Sequence, residues 1–323
     1  MKRMQSGVAL ISVLLVFSLV AVIASQMLAS NYLSIRKTAN RIDSRQAYYY
    51  ALAGEQLARQ VLARDFIAGS SESDVVVDHF DDDWAQNLDQ FDIDQGRMQV
   101  EIIDAQSLFN LSSLVDKDGV AIAKNIQQFR RLLDLLDISA EISDSLTDWQ
   151  DTDSTALTAG GEDAYYQFLE RPYLSANQRL IDSSELRLLK GVSYDDYRAL
   201  KPFVVALPEI TTYNINTAKA ELLRALSATI NESSADNIAG IQQDGGHSTV
   251  SQWLSEPSAN DLSGVADQLS VGSEYFQIRV VSEFNRRNSR LTTLIKRDAG
   301  NGKITVISRQ SDQHLKFKDS REL

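Results

Sequence analysis

An acidic segment in the middle of the chain carries the residues best suited to chemistry, and that chemistry is cation binding. Asp148-Trp-Gln-Asp-Thr-Asp-Ser-Thr-Ala-Leu-Thr-Ala-Gly-Gly-Glu-Asp163 gathers five carboxylates around a Gly-Gly turn, and Ca²⁺ prefers hard oxygen ligands of this kind. Four of its residues coincide with positions 1, 3, 5 and 12 of an EF-hand loop: Asp151, Asp153, Thr155 and Glu162. Position 6, which needs glycine for a sharp turn, is Ala156, so the EF-hand pattern is incomplete. A solvated acidic loop whose aspartates cap the neighbouring helices is the alternative interpretation.

At the amino terminus a short polar leader meets a long apolar run. Met1-Lys-Arg-Met-Gln-Ser-Gly7 is followed by Val8-Ala-Leu-Ile-Ser12, and no charged residue lies between Arg3 and Arg36. The run is long enough to cross a bilayer, which takes about 20 apolar residues. Basic residues flank it on both sides: Lys2 and Arg3 before it, and Arg36, Lys37 and Arg41 after it. Charge alone therefore does not orient the span.

The junction between leader and apolar run resembles the processing site of type IV pilins and type II secretion pseudopilins. A secretory signal peptide is cleaved after its apolar stretch, next to small residues, whereas the candidate site here precedes that stretch. The resemblance implies that prepilin peptidase cuts after Gly7 and that Val8 becomes the new, N-methylated amino terminus. The apolar helix then stays with the mature protein as a membrane anchor. The alternative is an ordinary signal anchor with a chance glycine.

The fifth residue of the expected mature chain is Ser12, where most members of this superfamily carry a glutamate. A carboxylate at that depth in a membrane is costly unless it is paired. In the superfamily its partner is the amino terminus of the subunit assembled ahead. A subunit with nothing ahead of it has no ammonium group to neutralise, so an unpaired glutamate would only be destabilising. Ser12 therefore predicts a subunit at the tip of a fibre.

The composition argues against several classes of function. A formal charge of −12 and a pI near 4.8 disfavour a nucleic-acid partner, because phosphate binding depends on a basic surface. The absence of cysteine excludes disulfides, thiolate metal sites and cysteine nucleophiles. The histidines are scattered and form no HExxH zinc pattern: they are His79, His247 and His314. We therefore expect a protein that is not an enzyme.

A long amino-terminal helix is the first element that must position these residues. No proline precedes Pro172 and no glycine lies between Gly7 and Gly54, so a helix can run from Val8 toward Arg64 without a breaker. Beyond the apolar run its large apolar residues thin to a stripe: Ile42, Tyr49, Leu52, Leu57 and Val61. Such a stripe predicts a helix laid against a soluble domain.

Strand patterns occur on both sides of a long middle region. An acidic loop with one short strand at Val75–Val77 is predicted for Ala68–Gly96. Four further runs alternate as strands do: Met98–Asp104, Tyr275–Phe284, Arg290–Lys296 and Lys303–Arg309. Because consecutive strands usually neighbour each other and one isolated strand cannot form a sheet, we expect the first of these runs to pair with the terminal ones.

Helical patterns dominate the middle region: Ile126–Leu136, Ser183–Lys190, Tyr194–Val205, Ala218–Ala228 and Ser233–Ile241. The predicted fold class is α+β, a type IV pilin-like fold in which a long amino-terminal helix packs on an antiparallel sheet interrupted by a large inserted all-α domain. The predicted divisions are a leader (1–7), a transmembrane helix (8–35), a pilin-like body (36–106 and 273–323) and an inserted helical domain (107–272). A pair of tandem domains with separate sheets is the competing arrangement.

Three segments of the middle region resemble the minor pseudopilin GspK family of type II secretion systems. They are Asp148–Tyr166 with its Gly-Gly-Glu-Asp sequence, Asn177–Gly191 with Glu-Leu-Arg-Leu-Leu-Lys-Gly, and Tyr213–Leu226 with Asn-Ile-Asn-Thr-Ala. With the leader and Ser12, the likeness covers nearly the whole chain. Carried over by position, it implies a calcium ion bound by Asp151, Asp153, Glu162 and Asp163.

The resemblance also implies partners and a location. It implies a single-pass protein of the bacterial inner membrane, cut by prepilin peptidase, with its soluble part in the periplasm. The minor pseudopilins I and J would join it at the tip of the pseudopilus, above the major pseudopilin, and the three would prime assembly for export across the outer membrane. Two alternatives stay open: a tip minor pilin of a type IV pilus, and a signal-anchored periplasmic hydrolase that uses the acidic segment with a metal.

One string also occurs in proteins that bind DNA. Asn214-Ile-Asn-Thr-Ala218 is similar to the opening of helix-hairpin-helix modules, which need a glycine-containing hairpin and basic surroundings. Here the following loop is Asn231-Glu-Ser-Ser and the protein is acidic. We therefore expect a structural turn in which Asn216 or Thr217 caps a helix that begins near Ala218.

Overall fold

The computed structural model of the protein describes residues 6–72, 76–86, 88–242 and 245–312. Its α-helices are α1 (Ser6–Glu72), α2 (Ala123–Leu135), α3 (Ile142–Gln150), α4 (Asp163–Tyr166), α5 (Tyr194–Leu200), α6 (Ala220–Leu226), α7 (Glu232–Gln242) and α8 (Val250–Leu254). Its strands are β1 (Leu88–Ile93), β2 (Gly96–Asp104), β3 (Phe109–Asn110), β4 (Val204–Val205), β5 (Tyr213–Asn214), β6 (Leu269–Ser270), β7 (Tyr275–Phe284), β8 (Arg287–Arg297) and β9 (Ile304–Asp312). Short 3₁₀ helices cover Ala105–Ser107, Leu111–Leu114, Ser183–Leu188, Lys201–Phe203 and Asn260–Gln268.

α1 is a single unbroken helix of 67 residues, about 100 Å long at the usual rise per residue. It continues past the predicted end at Arg64 to Glu72. Its first half is apolar and exposed, and among the described residues it is the one helix long and apolar enough to cross a membrane, with a mean hydropathy of 2.8 in its most apolar window. An exposed apolar surface of this length matches a helix whose surroundings are lipid.

The second half of α1 packs on the sheet through small residues. Three alanines of that face are fully buried: Ala47, Ala51 and Ala58. Gly54 approaches the sheet so closely that a Cβ atom there would lie 2.7 Å from Val280 Cγ1. The predicted stripe of large apolar residues is correct at Val61 but wrong at Ile42 and Tyr49, which are 60% and 59% exposed. Close approach of helix and sheet selects small side chains, which a search for large apolar residues misses.

A buried carboxylate fixes α1 to the distant strands. Glu55 is 2% exposed and accepts hydrogen bonds from Arg309 Nε at 2.6 Å, Arg309 Nη2 at 2.8 Å and Thr293 Oγ1 at 2.9 Å. Burial alone would raise the pKa of Glu55, but the bonds from Arg309 and Thr293 outweigh it and leave the pKa below its usual value. A carboxylate with this many donors is charged and fully paired.

One antiparallel sheet of five strands, in the order β1-β2-β7-β8-β9, lies against α1. β2 pairs with β7 along its whole length, from Gly96 opposite Phe284 to Asp104 opposite Phe276. This register confirms the predicted pairing of the first strand with the terminal ones. The prediction of a strand at Val75–Val77 is wrong at residues 76 and 77, which have no regular structure, while residue 75 lies outside the described residues. β1 was not predicted, because Leu-Asp-Gln-Phe-Asp-Ile is as polar as the loop around it.

The region between β2 and β7 is rich in helices and has a core of its own. It is not all-α as predicted, because two short parallel strand pairs, β3–β4 and β5–β6, also lie in it. Its apolar cluster runs from Phe109 to Val271 and is separate from the cluster between α1 and the sheet. The bounds 107–272 for an inserted domain stay a prediction. Two helices predicted there differ in the structure: α5 ends at Leu200, since Pro202 cannot continue the helical hydrogen bonding, and Ser183–Leu188 is a 3₁₀ helix.

A buried polar cluster joins this helical region to the sheet. Asp104, at the end of β2, is 3% exposed. Its carboxylate accepts hydrogen bonds from Thr217 Oγ1 at 2.5 Å, Asn214 Nδ2 at 2.9 Å and Ser273 Oγ at 2.7 Å. Nearby, Arg297 donates two bonds of 2.6 Å to Asp78 and one of 3.2 Å to Asp65 of α1. Helix, sheet and helical region are thus tied together at one end of the sheet.

The Asn214–Ala218 string belongs to this junction. Asn214, Asn216 and Thr217 are 0%, 1% and 3% exposed, so they cannot contact a nucleic-acid backbone. The prediction that Asn216 or Thr217 caps a helix is wrong, because α6 begins after Lys219 and has no side-chain cap. The polar side chains are instead used for contacts between distant parts of the chain.

Candidate functional site

The acidic segment predicted to bind a cation folds into a loop between two helices. Asp151 is the residue that follows the last turn of α3, and Glu162 immediately precedes α4. The loop returns on itself so that one carboxylate oxygen each of Asp151, Asp153 and Glu162 lie within 4.8 Å of one another. Three carboxylates at these separations can share one calcium ion, whose bonds to oxygen are about 2.3–2.6 Å long.

Two of these carboxylates hold an oxygen that no protein group satisfies. Asp151 and Glu162 are 6% and 7% exposed, and Asp151 Oδ1 and Glu162 Oε1 are buried without a hydrogen-bond partner. A charged oxygen buried in this way is strongly destabilising unless a proton or a cation joins it. The two orphaned oxygens therefore fit a site for a cation.

Burial and mutual repulsion also raise the pKa values of Asp151 and Glu162. Burial, followed by the charges of Asp153 and Asp148, raises the pKa of Asp151 to about 7. Burial and the charge of Asp148 likewise raise the pKa of Glu162. A divalent cation reverses both effects, because it favours the ionised form of each carboxylate. The donor set fits Ca²⁺, and Asp151, Asp153 and Glu162 are the residues that would hold it.

Asp148 shapes the loop around the three carboxylates. It is fully buried, and its Oδ2 accepts a hydrogen bond from the Leu157 backbone N–H at 3.0 Å. Gly160 packs directly on it, because a Cβ atom at Gly160 would lie 1.9 Å from Asp148 Oδ2. Lys190 Nζ donates to the Gly160 carbonyl oxygen at 2.6 Å. The sequence indicates a turn at the glycines but not these partners, of which Lys190 is 30 residues away.

The structure does not bring Asp163 into the group. Its Oδ1 accepts hydrogen bonds from the Ser175 backbone N–H at 2.9 Å and from Ser175 Oγ at 2.7 Å. The carboxylate is thus occupied in closing the segment that follows α4. A role of Asp163 as a calcium ligand stays a prediction of the family resemblance, without support from this geometry.

A second group of close carboxylates lies at the junction of helix and sheet. Asp65, Asp78 and Asp82 also have oxygens within 4.8 Å of one another. Here Arg297, which is 2% exposed, bonds to Asp65 and Asp78, and His79 Nδ1 lies 3.2 Å from Asp82. This group is a buried ion-pair network, and its residues are too far apart in sequence to be recognised from the sequence alone.

The predicted processing site lies at the start of α1. Leader residues 1–5 are outside the described residues, and Gly7 and Val8 belong to the first turn of the helix. Ser12 Oγ donates a hydrogen bond to the Val8 carbonyl oxygen at 2.9 Å. The hydroxyl is therefore satisfied within its own helix, so Ser12 needs no partner inside a bilayer.

Comparisons with known proteins point to one family. Two family models, both described as "Type II secretion system (T2SS), protein K", match residues 107–209 and 213–272. The chain is 38% identical to type II secretion system protein K of Pseudomonas aeruginosa, over 97% of this chain and 95% of that protein. It is 33% identical to the Aeromonas hydrophila protein of the same name, over 95% of this chain and 97% of that protein.

A solved structure is also similar. It is the crystal structure of the GspK-GspI-GspJ complex from the type 2 secretion system of enterotoxigenic Escherichia coli, one chain of which matches with a TM-score of 0.73 and 29% identity. The match covers 85% of this chain and 99% of the other. The predicted fold class, a long helix on an antiparallel sheet with many further helices, is confirmed.

A long apolar helix laid on an antiparallel sheet defines a class of proteins, the membrane-anchored subunits with a pilin-like fold. Within this class the length and identity of the matches decide the family. The chain belongs to the type II secretion system protein K family, and it is a minor pseudopilin. The family resemblance inferred from the sequence is thereby confirmed, and the type IV pilus alternative is not favoured.

Proposed function

We propose that this minor pseudopilin forms the tip of the type II secretion pseudopilus together with the minor pseudopilins I and J. In this role it is structural and not enzymatic, and it primes assembly of the pseudopilus for protein export across the outer membrane. The similarity to one chain of a GspK-GspI-GspJ complex supports the choice of partners.

The observation that carries the proposal is where the helical region sits on the pilin-like body. Toward the apolar half of α1, Ala47 receives a hydrogen bond from Ser282 near the β7–β8 hairpin. Toward its other end, Asp65 is bonded to Arg297, at the end of the sheet where β2 ends and β7 begins. The helical region leaves and re-enters the sheet at this second end. It therefore covers the side of the body away from the membrane, where the next subunit of a fibre would stack.

Ser12 supports the same position. A charged side chain at the centre of a membrane helix costs about 2.5–3.5 kcal/mol or more. Ser12 avoids a cost of this kind because it is neutral and its hydroxyl bonds to the Val8 carbonyl oxygen. A subunit that enters the fibre first has no amino terminus above it to neutralise. Ser12 is neutral and forms its hydrogen bond within its own helix, so it suits that subunit.

Processing and location are part of the same proposal. We infer cleavage by prepilin peptidase after Gly7, N-methylation of Val8, a single span in the inner membrane and a body in the periplasm, with the major pseudopilin below it in the fibre. Intact-mass analysis of the membrane-extracted protein tests this directly. A methylated Val8 terminus is expected, and an uncut Met1 or a terminus beyond Ala24 would contradict it.

Calcium is the proposed structural ion of the helical region. The orphaned oxygens of Asp151 and Glu162 support it, and the ion would hold the loop between α3 and α4 closed. We assign it a structural role, because its proposed ligands join the end of α3 to the start of α4.

Secretion in a strain that lacks this gene tests the proposed role of Ser12. Ser12→Ala removes only the hydroxyl and is expected to restore secretion fully. Ser12→Glu adds a charge with no partner at the tip and is expected to lower the number of assembled pseudopili several-fold. Full activity of Ser12→Glu, with normal pseudopilus numbers, would count against the tip assignment.

A further inference from the structure

A cluster of basic residues follows the apolar half of α1. We call Arg36, Lys37, Arg41 and Arg45 the juxtamembrane basic cluster; all four are exposed. None of them forms an ion pair with a residue that the structure describes. Between residues 29 and 50 the sequence holds one acidic residue, Asp43, and its carboxylate accepts a hydrogen bond from Asn285 of the β7–β8 hairpin. The positive charge of the cluster is therefore free for an outside partner.

The position of the cluster points to the membrane surface. The Arg36 guanidinium lies 4.7 Å above the ring of Tyr32, and tyrosine rings mark the interface between bilayer and water. Arg41 lies about 9 Å along the helix beyond Ile35, the last residue before the charges. This distance is close to the screening length of about 8 Å at physiological salt, so three of the four charges can act on lipid headgroups.

Unpaired basic residues on the periplasmic side of a membrane span are unexpected. Basic residues outside the cytoplasm run against the positive-inside tendency, and the chain as a whole is acidic, with a formal charge of −12. An acidic body above an anionic bilayer is repelled by it. Positive charge gathered at the foot of the helix offsets that repulsion.

We propose that the juxtamembrane basic cluster binds the phosphodiester headgroups of anionic phospholipids and holds the unassembled subunit at a fixed height in the bilayer. This inference rests on the proposed membrane anchor and on the periplasmic placement of the body. The cluster lies where α1 leaves the bilayer, whereas the tip assignment rests on the helical region at the opposite end of the pilin-like body.

The test uses the full chain reconstituted in phosphatidylcholine bilayers that contain a trace of spin-labelled lipid. Electron paramagnetic resonance measures the association of labelled phosphatidylglycerol relative to labelled phosphatidylcholine. The wild type is expected to favour phosphatidylglycerol about fivefold or more, since one basic residue at the surface contributes about that factor. The variant R36Q/K37Q/R41Q is expected to lose most of this preference, and high salt should weaken the preference of the wild type.

The control variant is K117Q/R198Q/K201Q, which removes the same charge from exposed positions in the helical region. It is expected to keep the wild-type preference. Extraction with alkaline carbonate reports insertion separately, so failure of the anchor is distinguishable from failure of lipid binding. An inserted wild type without lipid preference, or an equal loss in both variants, would overturn the proposal.

Discussion

Asp151 and Glu162 face each other because a short loop must connect α3 to α4 over the buried Asp148. The path of the loop is set by the hydrogen bond from Leu157 and by the close packing of Gly160 on Asp148. This path leaves carboxylate oxygens buried and unpaired. Buried carboxylate oxygens without a partner are typical of a structural ion site, in which the binding energy of the ion becomes folding energy.

Replacing a member of the group tests this account. Asp151→Asn removes one negative ligand, so calcium affinity is expected to fall about tenfold or more. Asp163→Asn is the matched control, because its carboxylate bonds to Ser175 and lies outside the group. Isothermal titration of the detergent-solubilised full chain measures both. A larger loss for Asp163→Asn than for Asp151→Asn would contradict the geometry.

The raised pKa of Asp151 predicts how the stabilisation of the fold by calcium depends on pH. Its pKa, raised from 3.8 to about 7, means that the metal-free fold favours the protonated carboxyl. The contribution of this group to stability therefore falls as pH rises from about 4 to about 7. Calcium needs the ionised form, so the rise in melting temperature caused by calcium should be larger at pH 8 than at pH 5. Thermal unfolding with calcium and with chelator measures the difference at each pH, and an equal rise at both would refute the assignment.

The elements that sequence reasoning identified are those with a strong local signal. α1 contains no proline over its whole length, and β2, β7, β8 and β9 alternate polar and apolar residues. β1 was missed because its pattern is polar, and the contact face of α1 was missed because alanine and glycine form it. Residue types alone predicted a cation site or a solvated acidic loop, and the family resemblance favoured calcium. The partners of Asp163 and Gly160 depend on distant residues, which no local pattern encodes.

The packing of α1 on the sheet gives a prediction at this scale. Gly54→Ala places a Cβ atom against Val280 and Met98, at 2.7 Å and 2.8 Å from their nearest atoms. Overpacking at such a contact is expected to destabilise the fold by about 1–3 kcal/mol. Gly240→Ala is the control, since no atom lies within 4 Å of its added Cβ and alanine in a helix stabilises by about 0.5–1 kcal/mol. Thermal unfolding in detergent compares the two, and an unchanged melting temperature for Gly54→Ala would contradict the close packing.

At the scale of the whole molecule, the place where the helical region joins the sheet determines whether another subunit can stack on this one. β2 and β7 are neighbours in one sheet although about half of the chain separates them. The junction of Asp104 with Asn214 and Thr217 ties the helical region to the end of the sheet farthest from the apolar part of α1. A fibre of such subunits grows by stacking bodies along their helices. A subunit with this end covered fits only where stacking stops.

Imaging of labelled pseudopili tests this central claim most directly. The chain has no cysteine, so Ser233→Cys, at an exposed position of α7, provides a single attachment point for a gold particle, and the unsubstituted chain is the control for labelling. Electron microscopy of assembled pseudopili is expected to show one particle, at one end of each fibre. Particles along the shaft, with further subunits stacked beyond them, would contradict the account.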